Sequence, residues 1–265
     1  MNFKIETYDN YELYCQFDEA KDAKGVVVFS HGFVEYGAHY SSFANRLASL
    51  GYHCLRYDVR GHGRTTAPLG DLKAYEDFAD DLNRCVEWVQ QYDSTLPIIT
   101  MGFSLGGMIT ALYGILYPFS SVAQVLIGAG LEVHKQFEGM HSQSITIHQF
   151  LEFLGTEGDA GIKQLIAMDS PYVLKTASKQ FLVEALCHAQ EFIHEHASMY
   201  TLPVLIMHGQ HDPIVKPKSS QVFYDEIASS DKTLEFVPHQ EHDLLRVTDA
   251  PKIIEHIVEW MDERV

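Results

Sequence analysis

The segment GFSLG at residues 102–106 carries the residue types of a nucleophilic serine site. β-Branched residues precede it and a helix-like pattern follows it as far as Pro118, so the sequence predicts a strand, a sharp turn and a helix. A serine at such a turn lies in strained backbone, and the flanking glycines leave the room that lets the turn close. The N-terminus of the helix directs partial positive charge at the serine. We therefore interpret Ser104 as a nucleophile, because this context makes a common pentapeptide more specific.

A serine hydroxyl needs a histidine to remove its proton, and the histidine needs a carboxylate to fix its tautomer. Fifteen histidines are available, but in a doubly wound sheet the site lies at the carboxyl ends of the strands. His242 follows the strand-like run TLEFVPH with enough loop to reach Ser104, and we prefer it to His239, which is nearer the strand end. The chain order serine, acid, histidine selects Asp212 as the acid. The alternative acids are Asp58 and Asp243.

Acyl transfer also needs two hydrogen-bond donors for the negative charge that develops on the attacked carbonyl oxygen. The N–H of Leu105 is the first after the nucleophile and begins the predicted helix, so we expect it to be one donor. The apolar run GVVVFS at residues 25–30 predicts a buried strand that delivers His31-Gly32-Phe33 into a loop. We expect the N–H of Phe33 to be the second donor. Both roles use backbone atoms, so neither side chain is dictated.

The elements that must position these groups follow from the hydrophobic pattern. Two alternating runs around Asp9-Asn10 predict an antiparallel N-terminal hairpin. Beyond it, strand-like and helix-like stretches alternate, which predicts an α/β fold with a mostly parallel, doubly wound sheet. The expected strands are residues 4–8, 12–17, 25–30, 52–58, 97–100, 122–130, 203–209 and 233–239, and the expected helices are about 40–50, 75–91, 105–117 and a C-terminal stretch around 253–261.

Residues 131–199 do not fit this rhythm. We expect residues 1–130 and 200–265 to form the core domain, with 131–199 inserted as a mostly helical cap. The cap has two apolar clusters, which by default pack against each other and the core. A cap beside a nucleophile must still leave a cavity, so some of these side chains should line it and set substrate specificity. The clusters comprise Ile145, Ile147, Phe150, Leu151, Phe153 and Leu154, and Phe181, Leu182, Leu186 and Phe192.

Composition narrows the classes of partner. The chain has 265 residues, of which 46% are hydrophobic, enough to bury a large core. Its formal charge of −17 argues against nucleic acid and against charge-driven docking on anionic membranes. We find no apolar signal region and no stretch of 18 uncharged apolar residues, and the four cysteines are scattered, as expected of reduced packing residues. These features predict a cytoplasmic protein without an integral membrane segment, and an apolar cap rim leaves a homo-oligomer open.

Five motifs together resemble the monoacylglycerol lipase and lysophospholipase-like branch of the α/β-hydrolase superfamily. They are His31-Gly32 at a strand end, the loop from Asp58 to Thr65, the elbow from Gly102 to Gly107, the run from His208 to Asp212, and the late His242. The match spans both halves of the core domain. Thr65 stands where the family pattern has serine, which is a conservative change.

The resemblance implies an α/β-hydrolase fold with a cap and a serine hydrolase that needs no cofactor. It also implies a catalytic triad of Ser104, Asp212 and His242 with Phe33 and Leu105 as oxyanion donors, in agreement with the interpretation of the residues themselves.

The other histidine groups and glycine loops do not have the spacing of a metal site or a phosphate-binding site. His134, His141 and His148 recur every seven residues, which on a continuous helix separates them by about 10 Å, too far for one metal ion. His194 and His196 flank Glu195, and we expect these histidines to be solvated or packed in the cap. No G-x-x-x-x-G-K-[ST] sequence follows a strand, so a phosphate cradle is not expected. The sequence implies neither a metal nor a cofactor.

The sequence predicts a serine carboxylic-ester hydrolase that acts through an acyl-enzyme on small or medium acyl esters. A lipid ester such as a monoacylglycerol or lysophospholipid is a possible substrate. The same machinery would serve a thioesterase or an aminopeptidase, and the latter would need a cap carboxylate to hold the substrate ammonium. A non-catalytic ligand receptor with the same fold is a further alternative. The candidate carboxylates are Glu132, Glu138, Glu152 and Glu157.

Overall fold

The computed structural model describes residues 1–154 and 170–265. The strands of this part of the chain are β1 (Asn2–Glu6), β2 (Glu12–Asp18), β3 (Gly25–Ser30), β4 (Tyr52–Tyr57), β5 (Ile98–Phe103), β6 (Ala123–Ile127), β7 (Ser144–Thr146), β8 (Thr176–Ser178), β9 (Val204–Gly209) and β10 (Lys232–Val237). Eight of them form one sheet in the order β1-β2-β4-β3-β5-β6-β9-β10. β2 pairs antiparallel with β1 and β4, and the remaining neighbours in this sheet pair parallel. The predicted fold class is confirmed.

The helices of the described chain are α1 (Ser41–Ser49), α2 (Glu76–Tyr92), α3 (Leu105–Leu116), α4 (Ile147–Phe153), α5 (Lys179–Val183), α6 (Ala189–His196), α7 (Pro217–Glu226) and α8 (Ala250–Asp262). A π-helical turn, Glu184–His188, joins α5 to α6. Short 3₁₀ turns are Gly37–Tyr40, Lys135–Phe137 and Ala197–Met199.

The central strands are buried along their whole length, as their apolar sequences require. Helices cover both faces of the sheet, because α2 and α3 belong to one buried cluster, whereas α1 and α8 belong to another. At the N-terminal edge, Asn10 has a φ of +68° in the turn between β1 and β2, as the hairpin pattern predicts. Because β4, β3, β5, β6, β9 and β10 are parallel, their carboxyl ends lie together at one end of the strands, and the candidate site residues meet there.

Helix α7 is absent from the sequence-based assignment. Only Ser220 and Phe223 are buried in this helix, so it has no wide apolar stripe. Its one strong local signal is Pro217 at the first helical position.

The described parts of the insertion, residues 131–154 and 170–199, are less helical than expected. In its described part β7 and β8 form an antiparallel ribbon in which Ile145 pairs with Ala177, so Ile145 lies in a strand and not in the predicted helical cluster. Phe150 and Phe181 belong to the same buried cluster as α2 and α3, so this part of the insertion packs directly on the core. The division of the chain at 130/131 and 199/200 stays a prediction.

Candidate active site

Ser104 lies between β5 and α3 with φ +56° and ψ −116°. This conformation is strained for a residue with a side chain, at a cost of roughly 1–3 kcal/mol. Two close backbone approaches require glycine on either side. A Cβ on Gly102 would lie 1.9 Å from the carbonyl oxygen of Gly106, and a Cβ on Gly106 would lie 2.0 Å from that of Ser30. The strained serine is fixed by hydrogen bonds from its own N–H to the Ile127 carbonyl, 2.9 Å, and from the Gly130 N–H to its carbonyl, 3.1 Å.

The structure brings Ser104, His242 and Asp212 into one hydrogen-bonded chain. Nε2 of His242 lies 2.9 Å from Oγ of Ser104, and Nδ1 of His242 lies 2.6 Å from Oδ2 of Asp212. The loops that follow β9 and β10 deliver the acid and the histidine, and both side chains are buried. The carboxylate accepts a hydrogen bond from the N–H at Nδ1 of His242. Nε2 therefore carries no hydrogen in the neutral ring and can take the serine proton.

The alternative residues have other partners. His239 has a φ of +62° and its ring packs near that of His211, at a centroid distance of 6.1 Å. Asp243 accepts a hydrogen bond from Arg246. Asp58 accepts the N–H groups of Gly37 and Arg64, and so fixes the loop after β4. The preference for His242 and Asp212 thus agrees with the geometry.

Asp212 accepts four hydrogen bonds, and one of its donors was missed by the sequence reasoning. The backbone N–H groups of Ile214 and Val215 donate to Oδ1 at 2.8 and 2.9 Å. On the other oxygen, Oδ2, the bond from His242 is joined by one from Nε2 of His208 at 3.0 Å. Nε2 of His208 is also 3.0 Å from the carbonyl of Val215. Two acceptors therefore surround this nitrogen, which must carry a hydrogen. The signal in the sequence was the histidine at the end of β9, four residues before the acid.

These donors determine the ionisation of the acid. Burial alone would raise the pKa of Asp212, but the hydrogen bonds from His208, His242 and the Val215 N–H together hold it well below its usual value. Asp212 is consequently a carboxylate at neutral pH, the state that stabilises a positively charged His242.

The loop after β3 carries Phe33, the expected oxyanion donor. Its N–H and that of Leu105 donate to no group within residues 1–154 and 170–265, and both residues line a cavity beside Ser104. The next residue, Val34, has a φ of +66°, an outlier for a β-branched side chain. Within the described chain, the N–H groups of Phe33 and Leu105 are thus both unpaired beside the nucleophile.

A buried carboxylate that the sequence reasoning missed holds this loop. Oε2 of Glu35 accepts the Gly32 N–H at 3.2 Å and the hydroxyl of Tyr40, while Oε1 lies 2.5 Å from Nη2 of Arg246. Arg246 also bonds Asp243, the neighbour of His242. The ion pair therefore ties the Phe33 loop to the histidine loop.

The cavity beside Ser104 has an apolar wall from the insertion, and its polar lining groups come from both the strand-end loops and the insertion. Five members of the predicted clusters do not line it: Ile145, Phe153, Phe181, Leu182 and Phe192. The apolar wall from the insertion comprises Ile147, Phe150, Leu151, Leu154 and Leu186, and the charged or polar lining residues include Glu35, Glu132, His134, Gln190, Asp243 and Arg246.

The described residues contain no group of three or more histidine, cysteine or carboxylate side chains arranged to hold a metal. His134 precedes a 3₁₀ turn, His141 lies outside any helix and His148 lies in α4, so the three do not share a continuous helix. In the same part of the chain, no helix has the length and apolar character needed to cross a bilayer.

A mostly parallel sheet with a strained serine after β5, and with an acid and a histidine in the loops after β9 and β10, defines the α/β-hydrolase class. Within that class, the chain belongs to the family described as serine aminopeptidase, S33, whose model matches residues 21–249. The family resemblance and the prediction of a serine hydrolase are thereby confirmed.

Similar proteins and solved structures agree with the assignment to this family. The chain is 26% identical over 251 residues to a monoacylglycerol lipase of Mycolicibacterium smegmatis, which covers 91% of this chain and 89% of the relative. The crystal structure of a monoacylglycerol lipase from Paleococcus ferrophilus matches with a TM-score of 0.80 at 20% identity, over 96% of this chain and 99% of that one. A monoglyceride lipase from Saccharomyces cerevisiae, in complex with a substrate analog, matches with a TM-score of 0.79 at 20% identity, over 98% and 94%. The two structural matches show the fold.

Proposed function

We propose that this protein hydrolyses carboxylic esters of the monoacylglycerol class through an acyl-enzyme on Ser104. The observation that carries the proposal is the hydrogen-bonded series from Ser104 through His242 to Asp212. Ser104, at one end of this series, lines a cavity with an apolar wall. A serine joined to a histidine and an ionised carboxylate has the geometry of an activated nucleophile.

The reaction has two balanced halves. Oγ of Ser104 attacks the ester carbonyl while Nε2 of His242 takes the serine proton, and the carbonyl electrons move to the oxygen. The tetrahedral intermediate collapses, the bond to the alcohol breaks, and His242 returns the proton to the departing alkoxide. Water then attacks the acyl-enzyme while His242 takes a proton from the water. The second intermediate collapses, the bond from the acyl carbon to Oγ breaks, and His242 returns its proton to Oγ, which restores Ser104 and releases the carboxylic acid. Asp212 stays ionised throughout and stabilises the charged imidazole.

The N–H groups of Phe33 and Leu105 are the donors for the negative oxygen of both intermediates. Each such donor typically lowers the barrier by about 3 kcal/mol. The Glu35–Arg246 ion pair supports this role because it fixes the loop that presents Phe33.

The insertion supplies the binding site for the acyl chain in this proposal. Ile147, Phe150 and Leu186 face the same cavity as Ser104, and burying a hydrocarbon chain against such side chains is favourable by about 25 cal/mol per Å². Residues 131–199 would then be the cap that sets acyl-chain preference. The monoacylglycerol lipases among the relatives support this class of substrate.

An aminopeptidase is supported less well, although the family description names that activity. It needs a carboxylate free to bind an ammonium group. The carboxylates that line the cavity in the described chain already have cationic partners, since Glu35 and Asp243 pair with Arg246 and Glu132 pairs with Lys216. Of the other candidates, Glu138 and Glu152 do not line the cavity, and Glu157 lies outside the described residues.

The first test is covalent labelling. Intact mass after incubation with a fluorophosphonate should show one adduct on the wild type, none on Ser104→Ala, and one on the control Ser219→Ala, whose serine is half-buried in α7 and does not line the cavity of Ser104. Turnover is then measured on a monoacylglycerol, on the matching thioester and on an aminoacyl anilide. Absence of an adduct on the folded wild type would contradict the proposal and favour the receptor. Faster cleavage of the thioester or the anilide would reassign the substrate class.

A further inference from the structure

A segment of the insertion is bonded to the loop that carries Phe33. Leu174, two residues before β8, donates its backbone N–H to the carbonyl of Val34 at 3.1 Å. The side chains of Val34, Ile147 and Leu174 form a small buried cluster, and Phe33 packs against it. Ile147 is fixed to the same segment, because its N–H donates to the carbonyl of Lys175 at 3.0 Å. The insertion therefore holds this loop through both backbone and side chains.

The loop itself is a tight turn with a strained residue. The N–H of Glu35 donates to the carbonyl of Gly32 at 3.3 Å, which makes Val34 the third residue of the turn. Its φ of +66° is the conformation in which a type II turn normally has glycine. A valine in this conformation costs roughly 1–3 kcal/mol and persists only where its surroundings fix it. The bond from Leu174 and the packing with Ile147 supply such surroundings.

Two peptide groups connect the insertion to the expected oxyanion donor. In a trans peptide the carbonyl and the N–H point in opposite directions, so holding one end orients the other. The peptide between Val34 and Glu35 accepts the bond from Leu174 at its carbonyl and donates to Gly32 at its N–H. The next peptide accepts that bond at the Gly32 carbonyl, and its own N–H is that of Phe33. A series of hydrogen bonds thus runs from the insertion to the N–H beside the nucleophile.

We propose that Leu174 is a positioning residue, which holds Val34 in its strained conformation and so orients the N–H of Phe33 toward the oxyanion. The inference rests on the proposed ester hydrolysis and extends the role of the insertion from binding the acyl chain to supporting the reaction. Leu174 does not line the cavity beside Ser104, so it acts through Val34 and not by contact with substrate. Its truncation should slow even an ester whose acyl group is too short to use the apolar wall.

The test uses p-nitrophenyl acetate, whose acyl group buries only one methyl, and trifluoroacetone, whose adduct with Ser104 places a negative oxygen at the oxyanion donors. We expect Leu174→Ala to lower kcat/KM for the acetate about tenfold and to raise the Ki of trifluoroacetone by a similar factor. Loss of a whole donor costs roughly 10²–10³-fold. The effect is smaller here because Nδ1 of His31, 2.8 Å from the Gly32 carbonyl, and the Glu35 carboxylate also hold the turn.

A second substitution separates positioning from packing. Glycine adopts a positive φ without strain, so the double variant Leu174→Ala/Val34→Gly should recover most of the lost kcat/KM. If Leu174 only fills space, removing a second side chain enlarges the void and gives no recovery. The matched control is Leu182→Ala, the same truncation at a buried leucine of α5 that does not line the cavity. It should leave the Ki of trifluoroacetone within about twofold of the wild-type value.

The outcomes separate this inference from the proposed function. If the wild type gives neither a fluorophosphonate adduct nor ester cleavage, the proposed function fails and this inference fails with it. If the wild type is active, an unchanged Ki in Leu174→Ala, or a double variant no faster than the single one, overturns the role of Leu174 and leaves ester hydrolysis standing. Should Leu174→Ala not fold, Leu174→Val and its double variant with Val34→Gly give the same comparison, with an expected loss of about threefold.

Discussion

The strand-end loops and the insertion face each other across the cavity and are stabilised in different ways. On the loop side, Ser104, Asp212 and Glu35 are held by directional hydrogen bonds and by strained backbone. On the insertion side, apolar side chains line the cavity, and Phe150 packs its ring against that of Phe33 at a centroid distance of 5.1 Å. Hydrogen bonds fix an atom to within a few tenths of an ångström, whereas apolar packing tolerates other side chains of similar volume. The loops therefore suit the chemistry, and the insertion suits the choice of substrate.

The sharpest test of the loop side is Asp212→Asn. The amide presents an N–H or a neutral oxygen where His242 and His208 need a charged acceptor, so the imidazole loses its tautomer control and its counter-charge. We expect kcat to fall by about 10⁴-fold, as for the loss of the acid in other triads. The steady-state rate on a monoacylglycerol gives the answer, and a fall of less than tenfold would assign the acid to another residue. Asp243→Asn is the matched control, since that carboxylate bonds Arg246 instead.

The same substitution has a pH-dependent effect on stability. The folded-state pKa of Asp212 is depressed below its ordinary value of 3.8. The stabilisation by its carboxylate is therefore complete above that ordinary value, and it is lost as the pH falls through the lower folded-state pKa. Denaturant unfolding should show Asp212→Asn less stable than the wild type at pH 7, with the gap closing below about pH 4. A gap that widens in acid would contradict the assigned direction.

A smaller effect tests whether the second donor to Asp212 matters for catalysis. In His208→Asn the shorter side chain no longer reaches Oδ2, whereas in His208→Gln an amide nitrogen can replace Nε2. We expect His208→Asn to lower kcat by about tenfold. The acid limb of its pH profile should move to higher pH, because the charge on Oδ2 then acts on His242 alone. The glutamine variant should restore most of both. An unchanged pH profile in the asparagine variant would reduce His208 to a packing role.

The loop side was also the part that the sequence predicted best. Ser104, Asp212 and His242 follow strand ends and meet because parallel strands end at one edge, so strand order was enough to select them. Their actual roles as nucleophile, acid and base await the experiments above. Glu35 was missed because its partner, Arg246, is distant in sequence. His208 was missed because its spacing to Asp212 alone does not show that its ring, which is bonded to Ser220 through Nδ1, turns toward the acid.

The insertion was predicted less well for a physical reason. Short apolar runs such as the one around Ile145 suit a strand as well as a helix, and the pairing of β7 with β8 joins residues thirty or more positions apart. Which apolar side chains line the cavity is a matter of packing, and Phe150 and Phe153 show how little their spacing reveals. Both lie in α4, yet Phe150 is buried at the cavity and Phe153 is 48% exposed.

That pair of phenylalanines gives the most delicate test of the comparison. Phe150→Ala removes a ring that packs against Phe33 and lines the cavity, so the space for the acyl chain grows. We expect the ratio of kcat/KM for long over short acyl chains to rise by about three- to tenfold, the range typical of a few methylenes in an apolar pocket. Phe153→Ala on the same helix should leave the ratio unchanged. Because the truncation also leaves a void, Phe150→Ala should lower the free energy of unfolding by about 3–5 kcal/mol. If both variants shift the ratio equally, α4 affects acyl-chain selectivity through its overall position. The Phe150 ring then does not set this selectivity by direct contact with the acyl chain.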